Sequence, residues 1–191
     1  MPGEASQAIE VRNVWKVFGQ GSPDAAIARA KSGASRQEII SQLDQTVAVR
    51  DVSFSVARGE TFVVMGLSGS GKSTLIRCLS RLIEPTSGEV LLNGQDLLAM
   101  SDDELREVRR GKISMVFQHF GLFPHRKVID NIAYGLEVQK VDKATRLARA
   151  AEVLQVVGLD GWSDRYPQQL SGGMQQRVGL ARALEIGRAH V

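Results

Sequence analysis

Nine residues carry the most chemistry in this chain: Gly66-Leu67-Ser68-Gly69-Ser70-Gly71-Lys72-Ser73-Thr74. They match the pattern G-x-x-x-x-G-K-[ST]. Glycines let a backbone wrap round an anion with successive N–H groups turned inward. A helix that starts at the same place adds the positive end of its dipole. Lys72 is placed to reach the β- and γ-phosphates of a nucleotide, and the Ser73 hydroxyl to ligate Mg²⁺. Gly66, Ser68, Gly69, Ser70, Gly71 and Thr74 complete the grip. A glycine-rich turn with an accidental lysine would lack the context seen here, in which an apolar run enters the loop and a helical pattern leaves it.

A second stretch, Leu170-Ser171-Gly172-Gly173-Met174-Gln175-Gln176-Arg177, places a serine and two glycines at a helix start. That also suits an anion. Taken alone it is a serine-capped helix. Gln118 follows the apolar run Ile113–Phe117, and Phe18 ends an apolar run near the N-terminus. Alone, the first reads as structural and the second as core. Phosphoanhydride hydrolysis also needs a carboxylate to position water. The one Asp-Glu pair, Asp103-Glu104, follows Ser101-Asp102 and reads as a helix-capping box.

These residues need elements to hold them. Ala8–Phe18 and Val47–Val56 read as strands, the second by period-two alternation. Between them, Ser22-Pro23-Asp24 and Ser35-Arg36-Gln37-Glu38 are helix starts, so residues 22–44 read as a short helical pair. Thr61–Met65 reads as a buried strand, followed by a helix over Lys72–Leu82. Val90–Leu92 with Asn93-Gly94 reads as a strand and tight turn. A helix should run from Ser101 to Arg110 and a strand over Ile113–Phe117. Beyond that, Val128–Val138, Lys143–Val157 and Gly172–Leu184 read as helices. The chain is strand-rich before Gln118 and helix-rich after it, which predicts two lobes in one domain.

Composition narrows the class. The chain has 191 residues, 43% hydrophobic and 24% charged, which excludes a disordered chain. No window supplies the roughly 18 consecutive apolar residues of a membrane span. The N-terminus, with Glu4 and Glu10, lacks a secretory layout. The single cysteine, Cys78, suits a reducing compartment. The basic run Arg106–Lys112 contains Glu107 and no aromatics, so it reads as a solvated helix face and no nucleic-acid partner is expected.

Together the phosphate-loop motif and "LSGGMQQR" resemble the ATP-binding cassette (ABC) proteins. The branch it looks most like is the ATP-binding subunit of glycine betaine/L-proline importers. "VMGLSGSGKSTLIRCLSRLIEPTSGEVLLNG", "DDELREVRRGKISMVFQHFGLFPH" and "LSGGMQQRVGLARAL" carry that likeness, with the 22–44 insertion. The resemblance implies an α/β P-loop NTPase fold: a RecA-like lobe with an antiparallel β subdomain, and a helical lobe over about 119–170. It implies ATP and Mg²⁺ as cofactors, with Phe18 stacking on adenine and Gln118 approaching the metal and the attacking water. Ser171, Gly172, Gly173 and Gln175 would face the ATP of a second copy in a head-to-tail dimer. The implied setting is the cytoplasmic face of the inner membrane. There the dimer docks on a permease through Gln118, Phe120, Leu122 and Phe123, and a substrate-binding protein delivers the solute. Ser80 and Arg126-Lys127 depart from the family's usual residues, away from the phosphate positions.

The family's hydrophobic run ending in Asp-Glu, and its switch histidine, are not found: His119 and His125 sit too early, and His190 follows no suitable strand. The likeness covers about residues 9–184. Glu185–Val191 fits nothing in the family and equals the in-frame translation of a common sequencing adapter. The expectation is therefore a cassette over 1–184 that is incomplete at its C-terminus, with a non-native tail at 185–191. Its intact form would hydrolyse ATP to drive osmolyte uptake, while these residues alone would grip nucleotide without turning it over. Another small-solute importer and a soluble cassette of DNA repair or translation are the alternatives. The second would need a long coiled coil between the two motifs.

Overall fold

The computed structural model describes residues 7–118 and 120–188, with side chains through Ile186. Glu4, His119, His190 and the rest of the tail beyond Arg188 lie outside the described residues. The chain divides after Ser101 into two compact units.

The first unit is built on an antiparallel sheet. Strand β1 (Gln7–Phe18) pairs with β2 (Thr46–Ala57) on one side and with β3 (Ser87–Leu92) on the other, and β4 (Gln95–Asp96) completes the order β2-β1-β3-β4. Asn93 and Gly94 both adopt positive φ, the turn that matches strand twist in a two-residue hairpin. A bulge interrupts β1 at Asn13, whose φ is 47°. The Asn13 N–H donates to Ser53 Oγ at 2.8 Å, and its side-chain amide donates to Asp51 Oδ1 at 3.0 Å. The extra residue lets two consecutive side chains, Val14 and Trp15, both be buried.

Trp15 and Val17 form a cluster with Ala26, Ala30 and Ile39, which come from the helical pair α1 (Pro23–Lys31) and α2 (Arg36–Leu43). Local chemistry sets both helix starts. Ser22 Oγ accepts from Asp24 N–H, and Pro23 takes the first helical position. Ser35 and Glu38 form a reciprocal box: Ser35 Oγ accepts from Glu38 N–H at 3.2 Å, and the Glu38 carboxylate accepts from Ser35 N–H at 2.6 Å. Those bonds to Ser35, the backbone one first, hold the Glu38 carboxyl below its ordinary range. The pair is tied down at its ends too. Gln45 donates to Gln20 O and Ser22 O, and Arg50 donates to Ala30 O. Burying Ile39 alone contributes about 2 kcal/mol.

Thr61–Met65 differs from its expectation. It joins no ladder among the described residues. Val63 is 67% and Met65 86% exposed; Phe62 finds one partner, stacking on Phe54 with centroids 4.6 Å apart. Ile113–Phe117, in the second unit, likewise joins no ladder. A strand of the buried parallel kind depends on neighbours distant in sequence, and no described segment pairs with either run.

The second unit is helical: α4 (Asp102–Gly111), α5 (Val128–Val138), α6 (Lys143–Val156) and α7 (Gly172–Arg188) follow the short helix α3 (Lys72–Leu79) of the first unit. Val128, Ile132, Val153, Leu154, Leu159 and Val178 form the core between α5, α6 and α7. Helix α7 continues four residues past the expected Leu184. Glu185 is buried with its carboxylate 2.8 Å from Arg149, and Ile186 packs over Gly135.

Candidate functional site

In the first unit the phosphate-loop residues surround a cavity of about 290 Å³, lined by Phe18, Arg36, Thr46, Ala48 and the segment Gly69–Thr74. Gly66 lines the adjoining hollow. The loop's shape depends on glycine at Gly71, where φ is +93° and an added Cβ would stand 2.1 Å from the Ala48 carbonyl oxygen of β2. The loop is therefore pressed against the sheet at its last turn before α3. Helix α3 begins at Lys72 with no side-chain cap. Its first N–H groups thus stay available to an anion.

The Lys72 ammonium folds back on its own loop, donating to Gly66 O at 2.7 Å and Leu67 O at 2.6 Å. Carbonyl oxygens hold an ammonium more weakly than phosphate oxygens do, so an incoming polyphosphate supplies the stronger partner. Ser73 is exposed at the mouth of the cavity, where its hydroxyl can ligate a cation. Among the described residues no group of three or more His, Cys, Asp or Glu gathers as a metal site. A Mg²⁺ ion here would be held by Ser73 and by phosphate oxygens, a hard-oxygen set that suits it. Phe18 is 41% exposed and lines the same cavity, with the Lys16 ammonium 4.9 Å from its ring centre. A flat aromatic base fits against such a ring.

The other predicted residues lie in the second unit. Gln118 is exposed in a turn closed by Phe120 N–H donating to Phe117 O. The loop that follows is rigidly held. Asn131, fully buried on α5, accepts from Phe123 N–H at 2.8 Å and donates to the carbonyls of Phe123, Arg126 and Lys127. Arg182 of α7 donates to Phe120 O and Gly121 O. Leu122 packs on the helical core, and the Phe123 ring lies 4.6 Å from that of Tyr134. Phe120 and Gly121 both take positive φ, which bends this loop sharply.

Ser171 caps α7, its Oγ accepting from Met174 N–H at 3.3 Å. Gly172 and Gly173 have open space around them and are exposed, so this helix start is accessible to an anion. Gln175 is turned the other way: its amide donates to Pro167 O and Leu170 O, bracing the preceding turn. Arg177 donates to Val157 O and Gly158 O, satisfying carbonyls at the end of α6. The sequence reading missed Arg36, Asn131, Arg177 and Arg182. Asn131 left a signal, a polar residue one helical turn after buried Val128.

A phosphate-wrapping loop in a unit built on a four-stranded antiparallel sheet and a serine-capped glycine helix in a helical unit together define a cassette-type nucleotide-binding chain. The chain belongs to the ABC transporter family, whose family model matches residues 49–188. It is 55% identical over 176 residues to the glycine betaine transport ATP-binding protein OpuAA of Bacillus subtilis (strain 168), covering 92% of this chain and 42% of that protein. It is 49% identical over 178 residues to the glycine betaine/proline betaine transport system ATP-binding protein ProV of Escherichia coli (strain K12), covering 93% and 44%. Among solved structures it superposes with a TM-score of 0.77 on the dimeric, post-hydrolysis ATP-binding cassette MJ0796 bound to ADP and Pi, at 32% identity, covering 93% of this chain and 69% of that one. The chain thus spans less than half the length of the curated relatives. Among the described residues no helix is long and apolar enough to cross a membrane.

Proposed function

We propose that this chain is the nucleotide-gripping part of a transport ATPase that energises uptake of glycine betaine, proline betaine or a related osmolyte. The observation that carries the reading is the 55% identity to a glycine betaine ATP-binding protein, which runs through 92% of this chain. In this reading ATP is the ligand of the first-unit cavity. Phe18 takes the adenine, and the N–H groups of Gly69–Thr74 with Lys72 take the phosphates. Ser73 and phosphate oxygens hold Mg²⁺, which neutralises charge on the phosphates. Positioning and electrostatic stabilisation are what phosphoryl transfer asks of a protein, and Lys72 supplies both to the β- and γ-phosphates.

Ser171, Gly172 and Gly173 then serve a second copy, offering an exposed helix start to the phosphate of the partner's ATP. Gln175 acts indirectly, holding the turn before Ser171. Gln118, Phe120, Leu122 and Phe123 form the face for a membrane permease on the cytoplasmic side, and a substrate-binding protein presents the solute. Residues 22–44 belong to the nucleotide-binding lobe as an insertion, and about 119–170 form the helical lobe.

The test is uptake of labelled glycine betaine at high osmolarity in a strain lacking other betaine importers, with and without the gene that encodes this sequence. Loss of uptake on deletion, and failure of a Lys72→Ala copy to restore it, is the expected result. Unchanged uptake refutes the assignment.

A further inference from the structure

Arg36 lies in the helical pair between β1 and β2, 33 residues from the loop it touches, and the phosphate motif does not include it. Its Nη1 donates to the Gly69 carbonyl oxygen at 3.1 Å. It lines the same cavity as Phe18 and Lys72, and also the adjoining hollow that Gly66 lines. Among the described residues it forms no ion pair with a carboxylate. A guanidinium carries five donors in a planar fork suited to phosphate oxygens, and one loop carbonyl uses one of them.

The position is fixed. Arg36 is the first residue of α2, directly after the Ser35 cap, and α2 is pinned by the Ser35–Glu38 box and by buried Ile39. Gln45 and Arg50 tie both ends of the hairpin to neighbouring backbone. The side chain alone is free to swing. We propose that Arg36 is a nucleotide-binding residue, a second cation that leaves Gly69 O and engages the polyphosphate when nucleotide enters. Lys72 and Arg36 thereby share one arrangement: each rests on a loop carbonyl, and each has phosphate as its better partner. The helical insertion is then part of the nucleotide site rather than an ornament of the sheet. This rests on the reading of the first-unit cavity as a nucleotide site.

The experiment titrates the purified chain with ribose-labelled fluorescent (mant) ATP and mant-AMP, comparing wild type with Arg36→Gln, Arg36→Met, Arg36→Lys and Lys72→Ala. Far-UV circular dichroism confirms that each variant keeps its fold. An exposed charge-assisted contact predicts that both neutral variants weaken mant-ATP binding by roughly three- to tenfold. Arg36→Lys should bind mant-ATP more tightly than either neutral variant, and mant-AMP should change less than about twofold in all three Arg36 variants, because one phosphate offers the cation less charge. Wild-type binding that Lys72→Ala weakens, but that neither neutral Arg36 variant changes, overturns this proposal and leaves the cavity reading standing. Equal losses for mant-ATP and mant-AMP overturn it too, by assigning Arg36 to loop support. No Lys72-dependent binding by wild type sinks the cavity reading and the proposal together.

Discussion

Replacing Asn131 should unfix the loop that follows Gln118. The Asn131 carboxamide is buried and meets four backbone groups: the N–H of Phe123 and the carbonyls of Phe123, Arg126 and Lys127, the last three each at 3.1 Å. An amide nitrogen has two hydrogens, so the three carbonyls share two donors and the side chain makes three hydrogen bonds' worth of interaction. At about 1 kcal/mol net for each, Asn131→Leu should lower stability by about 3 kcal/mol, with little added cavity cost because the volumes are similar. In a thermal melt followed by circular dichroism, that lowers Tm by roughly 6–12 °C. Asn131→Asp sharpens the test. Its carboxylate still accepts from Phe123 N–H but faces three carbonyl oxygens, which should raise its folded pKa above the ordinary value of about 3.9. The sign follows: the variant is most stable below the unfolded pKa and loses stability as pH rises through the folded pKa. Asn131→Asp should therefore lie nearer wild type at low pH than at neutral pH. A Leu variant within about 1 kcal/mol of wild type would refute the reasoning, as would an Asp variant whose deficit shrinks with rising pH.

Three further outcomes follow from single contacts. Gly71→Ala places a Cβ against Ala48 O at a φ of +93°; the strain of roughly 1–2 kcal/mol should distort the phosphate loop, lowering mant-ATP affinity more than it lowers Tm. Asp142 caps α6, its side chain accepting from Thr145 N–H at 3.0 Å, so Asp142→Ala should lower the midpoint of a urea titration. Hydrogen bonds from Thr145, the side-chain one first, hold the Asp142 carboxyl below its ordinary range, so the difference between wild type and variant should be full above about pH 4 and vanish as pH falls through the depressed folded value. Burial, the main cause, pushes the Cys78 thiol up; a disulfide reagent at pH 8 should leave it unreacted in the folded chain and modify it on denaturation, and rapid native reaction would contradict its burial.

Elements whose causes are local in sequence were legible before the structure. The caps at Ser22 and Ser35, the Asn93-Gly94 turn and the full span of α5 all follow from residues within a turn of one another. What was not legible depends on distant partners. Thr61–Met65 has the apolar, β-branched composition of a strand, yet composition cannot supply the neighbour that a ladder requires, and the run stays unpaired among the described residues. The bulge at Asn13 was equally hidden, because it is held by Ser53 and Asp51 on the facing strand.

The candidate site divides along the same line. The phosphate loop was readable because its contacts are its own backbone: Lys72 rests on Gly66 and Leu67, six and five residues away. The Gln175 amide donates to Pro167 O and Leu170 O, a geometry that spacing cannot reveal. Arg36 looked like a helix start and nothing more, because Gly69 lies 33 residues on. A motif records residues that a ligand needs in fixed sequence order. A side chain delivered from another element carries no such order, and only the fold brings it to the loop. The cation most open to discovery in this chain is therefore the one that its strongest motif leaves out.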